Sequence, residues 1–506
     1  MKDEAPSGDN VPAAPRARRG LREFIADNVI VALAMLIAKL RGFVTLPLIV
    51  SALGTAGYGT WSQILAFTTL MQAVVGFNLH LPLIRFIAQD KKEAPRIYLT
   101  LQLLSVLCAV VGGLVILPFD RGASEVLLGD PSLGRHLAVC LAIVLVSNVR
   151  LVNLNVYRAY GKFLARSGVE LATSVVELAA IIVVLIRTHD MFAALVTMAA
   201  WGAVVAVITT WHASRLTGVG RFSKEIALRG LAYAAPLLPS VLSLWILDRA
   251  DRFFVGYYLG AREVGIYSAS YALGQLVLQA QMPFQITLFP KVAQLWDTDR
   301  EGAKRYVEMS NKFFLTLAIP FTAACAIVAP KLLVKLGNEE ISANSALLTV
   351  LVSAGVLLYG VSVMQIQILH GAKRTMTQGL VSAGAAVLNV ALNVILLPRV
   401  GTVGAALATL IAYGATAAVM GALAHRQLPI SYFPVYLLKC VIASLAMLPP
   451  MAALARYGLS GLAAAGVAGL LVYFVALWIL RAFSAEEIDF ARRAIRKVRG
   501  RAAATR

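Results

Sequence analysis

Charge is scarce in this chain. Of its 506 residues only 14% are charged and 59% are hydrophobic, whereas soluble domains carry about 25% charged residues. A water-soluble globule is therefore excluded. Cysteine is nearly missing. Cys108, Cys140, Cys325 and Cys440 each stand alone in an apolar run with no metal or redox spacing, which leaves them as small buried hydrophobes. The chain has no GxxxxGK[ST] phosphate loop, so ATP does not power it directly. Alternating ten-residue strands are absent, which excludes a β-barrel. Large outer loops are also missing. The longest, Pro118 to Arg135, holds fewer than twenty residues, so any chemistry has to sit between helices.

Long apolar runs are abundant. Fourteen are expected to cross a bilayer, centred near Ala38, Leu70, Leu107, Ile143, Leu178, Ala200, Leu242, Leu276, Leu317, Leu357, Val387, Ile411, Leu445 and Leu470. Each has to be a helix, because lipid satisfies no open backbone groups. The fold class expected is an all-α polytopic membrane protein. The net charge of +20 is distributed unevenly. With the N-terminus inside, 32 of the 46 Lys and Arg fall in inner segments, ten in outer loops and four within spans. That bias places both termini in the cytoplasm. Without a basic face carrying reading elements, no nucleic acid is expected as a partner.

A motif occurs twice. Leu53-Gly54 precedes Gly59 and Trp61, and Leu259-Gly260 precedes Gly265 and Tyr267, with the same shift of 206 throughout. Two similar halves suggest two lobes with a site where they meet. The expected organisation is a basic tail (1–26), an N-lobe of helices one to six (27–211), a linker (212–230), a C-lobe of helices seven to twelve (231–424), two extra helices (425–480) and a basic amphipathic tail (481–506). The first twenty residues are expected to be disordered. In the last segment, Ser484 and Glu487 have capping-box spacing. A basic helix lying on anionic lipid is expected there.

Charges inside spans usually face water or a partner. Lys39 lies about 16 Å into the first helix at 1.5 Å per residue. It and Arg41 point to nearly opposite faces, so they line a wide cavity, snorkel or pair with acids. Asp248, Arg249, Asp251 and Arg252 form either a gate or cation site or a self-neutralised cluster. Glu170 and Glu177 lie seven apart on one face and are candidates for proton carriage. Pairing with Arg150 or Lys39 explains them equally well. Asn153, Gln275, Gln279, Asn389 and Asn393 are polar in apolar surroundings. Gln275 and Gln279 are expected on one helical face, either binding sugar hydroxyls or joining helices.

The stretches RGFVTLPLIVSALGTAGYGTW, DRADRFFVGYYLGAREVGIYSASYALGQ and VLNVALNVILLPRVGTVGAALATLIAYG resemble bacterial polysaccharide flippases of the O-antigen type. These belong to the superfamily that also holds multidrug and toxin extrusion transporters. The resemblance implies two pseudo-symmetric six-helix bundles around a central cavity that opens alternately to each side. It implies a flippase, not an enzyme, that carries undecaprenyl-pyrophosphate-linked oligosaccharide across the bacterial inner membrane. Lys39, Arg41, Arg249 and Arg252 become candidates for the phosphates, joined by Arg150, Asn153 and Gln279 as substrate-binding residues. Glu170, Glu177, Asp248 and Asp251 become candidates for ion coupling or gating. No cofactor is implied; a proton or sodium gradient is the candidate power source. The implied partners are the lipid-linked oligosaccharide, membrane lipids, and glycan polymerase and chain-length machinery. A lipid II flippase, a cation-coupled multidrug exporter and a membrane-embedded glycan polymerase or glycosyltransferase are the alternatives.

Overall fold

The computed structural model describes residues 16–281, 284 and 288–483, with the backbone alone at 16–41 and 43. The expected basic tail helix beyond 483 lies outside the described residues. All regular structure among the described residues is helical. Helix α1 (Arg16–Val75) is two helices joined at Gly54. It already includes residues 16–20, where disorder was expected, because Ala, Arg and Leu after Pro15 are good helix formers. After it come α2 (His80–Gln89), α3 (Ala94–Ile116), α4 (Asp120–Leu128), α5 (Gly134–Ala159), α6 (Phe163–Thr188) and α7 (Met191–Thr217).

The second half begins with α8 (Lys224–Ala234), α9 (Leu238–Trp245), a π-helical turn (Ile246–Ala250) and α10 (Asp251–Leu259). Next are α11 (Ala261–Gly274), a 3-10 stretch (Gln275–Gln281) and α12 (Leu288–Leu295). The rest comprises α13 (Arg300–Leu336), α14 (Ser345–Gly371), α15 (Thr375–Val400), α16 (Thr402–Gln427), α17 (Pro434–Leu454) and α18 (Gly458–Ile479). The connection between α7 and α8 is only 218–223, shorter than the expected 212–230, because both helices run past their apolar segments. Side-chain caps make such short connections affordable in backbone hydrogen bonds: Asp190 accepts from Phe192 N at 2.9 Å, and Asp299 from Gly302 N at 2.8 Å.

Among the described residues, eleven helices are long and apolar enough to cross a membrane, or twelve if the bent pair Val44–Val75 and His80–Gln89 is one span. The difference from fourteen has local causes. The first expected span falls largely where only backbone is described. The eighth loses α-helical geometry after Gly274.

The cores show where the halves join. One cluster combines Leu46, Tyr58, Trp61, Ile64 and Leu137 from the first half with Ala269, Leu273, Ala329 and Leu333 from the second. Of two others, one stays within the second half and one also takes in Ile226, Ala227 and Ala234 of α8. Leu79, Leu83, Tyr98, Leu101 and Val156 pack in the first, and Tyr267, Phe314, Val352, Val356 and Tyr413 in the second. The halves thus share a core at the end that carries the repeated motif, and α8 joins them again through Ile226, Ala227 and Ala234, with Ser223 N donating to Thr100 Oγ1 at 3.0 Å. Helices α17 and α18 add a satellite core against Ile319, Ala323 and Val328 of α13.

Candidate functional site

The repeated motif builds the crossing of the two lobes. Gly54 (φ 73°, ψ −179°) and Gly260 (φ 87°, ψ 169°) share a backbone conformation open essentially to glycine alone. Each turns the chain into the helix that crosses its counterpart. A Cβ on Gly59 would lie 1.8 Å from the Ala261 carbonyl oxygen, and one on Gly265 would lie 2.3 Å from that of Thr55. The same shift of 206 that relates Gly59 to Gly265 relates Thr55 to Ala261. The contact is therefore reciprocal about a pseudo-two-fold axis. One turn on, Ser62 Oγ donates to Ser268 Oγ at 2.9 Å, again between positions 206 apart.

A polar strap covers this closed end. Thr55 Oγ1 donates to Glu340 Oε2 at 2.5 Å and accepts from Asn338 Nδ2 at 3.0 Å. Arg262 Nε pairs with the other oxygen of Glu340. The Thr55 hydrogen bond and the Arg262 guanidinium hold the Glu340 carboxyl below the usual carboxylate range.

Away from the crossing, Trp245 Nε1 donates to Thr69 Oγ1 at 3.1 Å, from one lobe to the other. A pocket opens on each side of this bond. The first-lobe pocket, about 230 Å³, is lined by Thr69, Gln72, Asn78, His80, Ser105 and Asn148. The second-lobe pocket, about 330 Å³, is lined by Trp245, Asp248, Gln275, Leu278, Tyr359 and Tyr413.

The second-lobe wall holds a compact ionic cluster. The π-helical turn Ile246–Ala250 inserts an extra residue, and such turns recur at functional sites. Tyr413 Oη donates to the Leu247 carbonyl within it at 3.1 Å. Asp251 is 1% exposed, paired with Arg252 Nη1 at 3.2 Å and hydrogen-bonded by Tyr267. Arg252 also donates to the Asp248 carbonyl at 2.9 Å and lies over the Tyr271 ring at 4.7 Å. Asp248 faces the pocket, accepts from Gln275, and pairs with Arg249 Nε at 3.2 Å. The cluster is balanced in charge, so each buried ion has a partner.

The structure thus brings together Asp248, Arg249, Asp251 and Arg252 of the expected site residues and leaves others elsewhere. Arg150 lies 3.9 Å from Glu177, and Glu170 pairs with Arg166 at 3.2 Å, one turn away on α6. Asn153 is fully buried. Its oxygen accepts from Tyr98 Oη at 2.8 Å and its nitrogen donates to Thr209 and Thr210 at 3.0 and 2.9 Å, joining α3, α5 and α7. The side chains of Lys39 and Arg41 lie outside the described residues. Gln275 and Gln279 do not share a face as expected. Four residues advance about 120° past a full turn in 3-10 geometry, against about 40° in an α-helix. Gln275 therefore meets Asp248, while Gln279 lines a separate apolar groove of about 670 Å³ between α13, α17 and α18.

Sequence reasoning missed Thr69, Trp245, Asn148, Tyr271, Tyr359 and Tyr413. A signal existed for one: the shift of 206 carries Thr69 onto Gln275, and both face the cleft.

The model of a polysaccharide biosynthesis protein family matches residues 25–296, more than half of the chain, and that of the MatE family matches residues 236–395. A probable flippase, AglR of Haloferax volcanii, is 29% identical over 167 residues, 32% of this chain and 34% of that protein. The chain thus aligns with about a third of this relative's length. Among solved structures, the lipid II flippase MurJ in an inward closed conformation superposes with a TM-score of 0.74 at 15% identity, over 89% of this chain and 98% of that one. A transporter of the MOP superfamily from Pyrococcus furiosus gives 0.56 at 16% identity, over 79% and 95%. At such identities the likeness is one of fold. It agrees with the reciprocal crossing and the cleft beside it: the chain belongs to the polysaccharide biosynthesis protein family and has the membrane-transporter fold of the MOP superfamily.

Proposed function

We propose that this chain is a flippase that moves an undecaprenyl-pyrophosphate-linked oligosaccharide across the bacterial inner membrane by alternating access. The observation that carries this reading is the pair of polar pockets on opposite walls of a cleft that is shut at one end. The positive-inside bias puts the shut end outside and both termini in the cytoplasm. In this reading the other end, where α8 packs against the first half, faces a substrate assembled in the cytoplasm. Sugars and phosphates cross through the cleft while the lipid tail stays apolar. The groove between α13, α17 and α18 supports this, since it is lined by Leu276, Phe321, Val467 and Phe474 with little polar surface.

The shift of 206 refines the phosphate candidates. It pairs Lys39 with Trp245, which reaches across the cleft, and Arg41 with Leu247, which is 2% exposed. Lys39 is therefore the better candidate for the head group. Arg249 contributes from the opposite wall. A proton or sodium gradient powers the cycle in this reading, with Asp248 the carboxylate best placed at the cleft. Glycan polymerase and chain-length machinery act on the delivered product.

The test is reconstitution. Proteoliposomes loaded with polyprenyl-pyrophosphate-linked oligosaccharide are expected to expose its sugars to an added glycosidase only when the protein is present, and Lys39→Glu is expected to abolish this. Exposure equal to protein-free vesicles would remove the reading. The second reading is a cation exporter, favoured by the aromatic pocket of Tyr359 and Tyr413 around Asp248. It predicts drug efflux that is lost in Asp248→Asn.

A further inference from the structure

The first-lobe pocket has a chemistry that the ionic cluster does not share. No carboxylate lines it. Its polar lining is Thr69, Gln72, Asn78, His80, Ser105 and Asn148. Asn148 is 3% exposed, and its Nδ2 finds no acceptor among the described residues. Asn78 Nδ2 is likewise buried without an acceptor. A buried amide left without a partner costs about 1–3 kcal/mol, so two in one pocket call for a ligand. Gly76 lets the Asn148 side chain approach the backbone: a Cβ there would lie 2.6 Å from Asn148 Oδ1.

The local backbone adds to this. Between Val75 and His80 the chain breaks direction, with Phe77 (φ 47°) and Asn78 (φ 50°) both in the left-handed region. The break aims the N-terminus of α2 at the pocket. Its cap residue Leu79 supplies no side-chain acceptor. Leu81 N donates to the Asn78 carbonyl at 2.9 Å and Pro82 has no amide hydrogen, so the helix start favours negative charge through its dipole. Arg158 and Arg166 act on His80 electrostatically, although Arg166 shares its charge with Glu170 at 3.2 Å.

We propose that the pocket formed by Asn78, His80, Ser105 and Asn148 is an oxyanion-binding site for a carboxylate or phosphate carried by the transported molecule. The unpaired amide nitrogens of Asn78 and Asn148 lie among its lining residues, and no carboxylate does. The occupant rests on the transport reading; the site itself does not. Thr69, at the lip, is the residue that Trp245 of the other lobe engages. An anion seated here would thus bear on the contact between lobes.

The test uses the purified full-length protein in detergent at fixed ionic strength, titrated with inorganic phosphate, with glucuronate, and with glucose as a neutral control. The thermal midpoint is expected to rise with phosphate or glucuronate and not with glucose. Asn148→Asp keeps the shape and replaces donors with a negative charge. It is expected to weaken the titration about tenfold or more, the loss of one hydrogen bond to a charged group. If Asn148→Asp does not fold, Asn78→Ala, at a turn rather than within a packed helix, is expected to weaken it severalfold. A response to phosphate alone assigns the carrier's phosphates; a response to glucuronate alone assigns an acidic sugar. The site is overturned if no anion raises the midpoint, if glucose matches the anions, or if the folded variants bind like the parent. Transport in proteoliposomes is a separate readout. Anion binding without translocation would sink the flippase reading and spare the site; the reverse result would do the opposite.

Discussion

Gly59 and Gly265 do the same work at the crossing, whereas Leu46 and Arg252, a few turns earlier and related by the same shift of 206, do not. Leu46 is 1% exposed in an apolar core. Arg252 is nearly as buried, yet it is an ion paired with Asp251. The residue matching Asp251 is Thr45, which donates to the Gly42 carbonyl within its own helix at 3.0 Å. The two pockets differ in the same sense, one lined by amides without a carboxylate and the other holding Asp248. The difference has a physical cause. At the axis each copy must fit the other, so the backbone contact constrains both at once. Away from it, the walls meet through unlike residues, such as Trp245 with Thr69, and each is free to change chemistry.

Making the second lobe resemble the first is the strongest way to break this comparison. Arg252→Leu alone leaves Asp251 buried without its counterion and is expected to cost about 3–5 kcal/mol in thermal unfolding. Adding Asp251→Thr, so that the pair copies Thr45 and Leu46, is expected to restore most of that stability. A double variant as unstable as the single one would show that the cluster is held by more than charge balance.

The crossing offers a sharper and smaller test. Gly59→Ala and Gly265→Ala are each expected to cost about 1–3 kcal/mol by overpacking, and by similar amounts. A disulfide between Ser62→Cys and Ser268→Cys should form readily in the parent and fail in both glycine variants. A clear inequality between the two would break the pseudo-symmetry.

The smallest expected effect is a pH dependence, and it belongs to one lobe. Glu340 is held below the usual carboxylate range in the closed form. Its contribution to closure is therefore full above the ordinary glutamate pKa, about 4.3, and is lost as pH falls through the lower bound-state value. Spin labels at Glu125 and Lys335 should separate on acidification, and Glu340→Gln should remove the response. A response unchanged in Glu340→Gln would assign it to another acid.

The gross plan was legible because it depends on apolar runs and on a repeat that sequence displays directly. The halves with matched Gly54 and Gly260 could be found by comparing residues at one spacing. What was not legible depends on departures from the ideal helix. Gln279 was expected beside Gln275, but the 3-10 stretch turns it into the apolar groove. The π-helical turn sets how Asp248 and Asp251 share Arg252, and no residue pattern signals that turn. For Asn153, an amide in an apolar span, the sequence left sugar binding and helix joining both open; its hydrogen-bond partners lie on α3 and α7. The amides of Asn78 and Asn148 become notable only when the chain is folded and they are seen to lack partners.

The reciprocal fit of Gly59 on Ala261 and Gly265 on Thr55 has a mechanical consequence. The two contacts are related by the pseudo-two-fold axis and involve the same two positions in opposite roles. A motion of the lobes that keeps this axis lifts both by the same amount. The end therefore behaves as a single clasp, undone as a unit, and one distance between Ser62 and Ser268 is enough to follow it through a cycle.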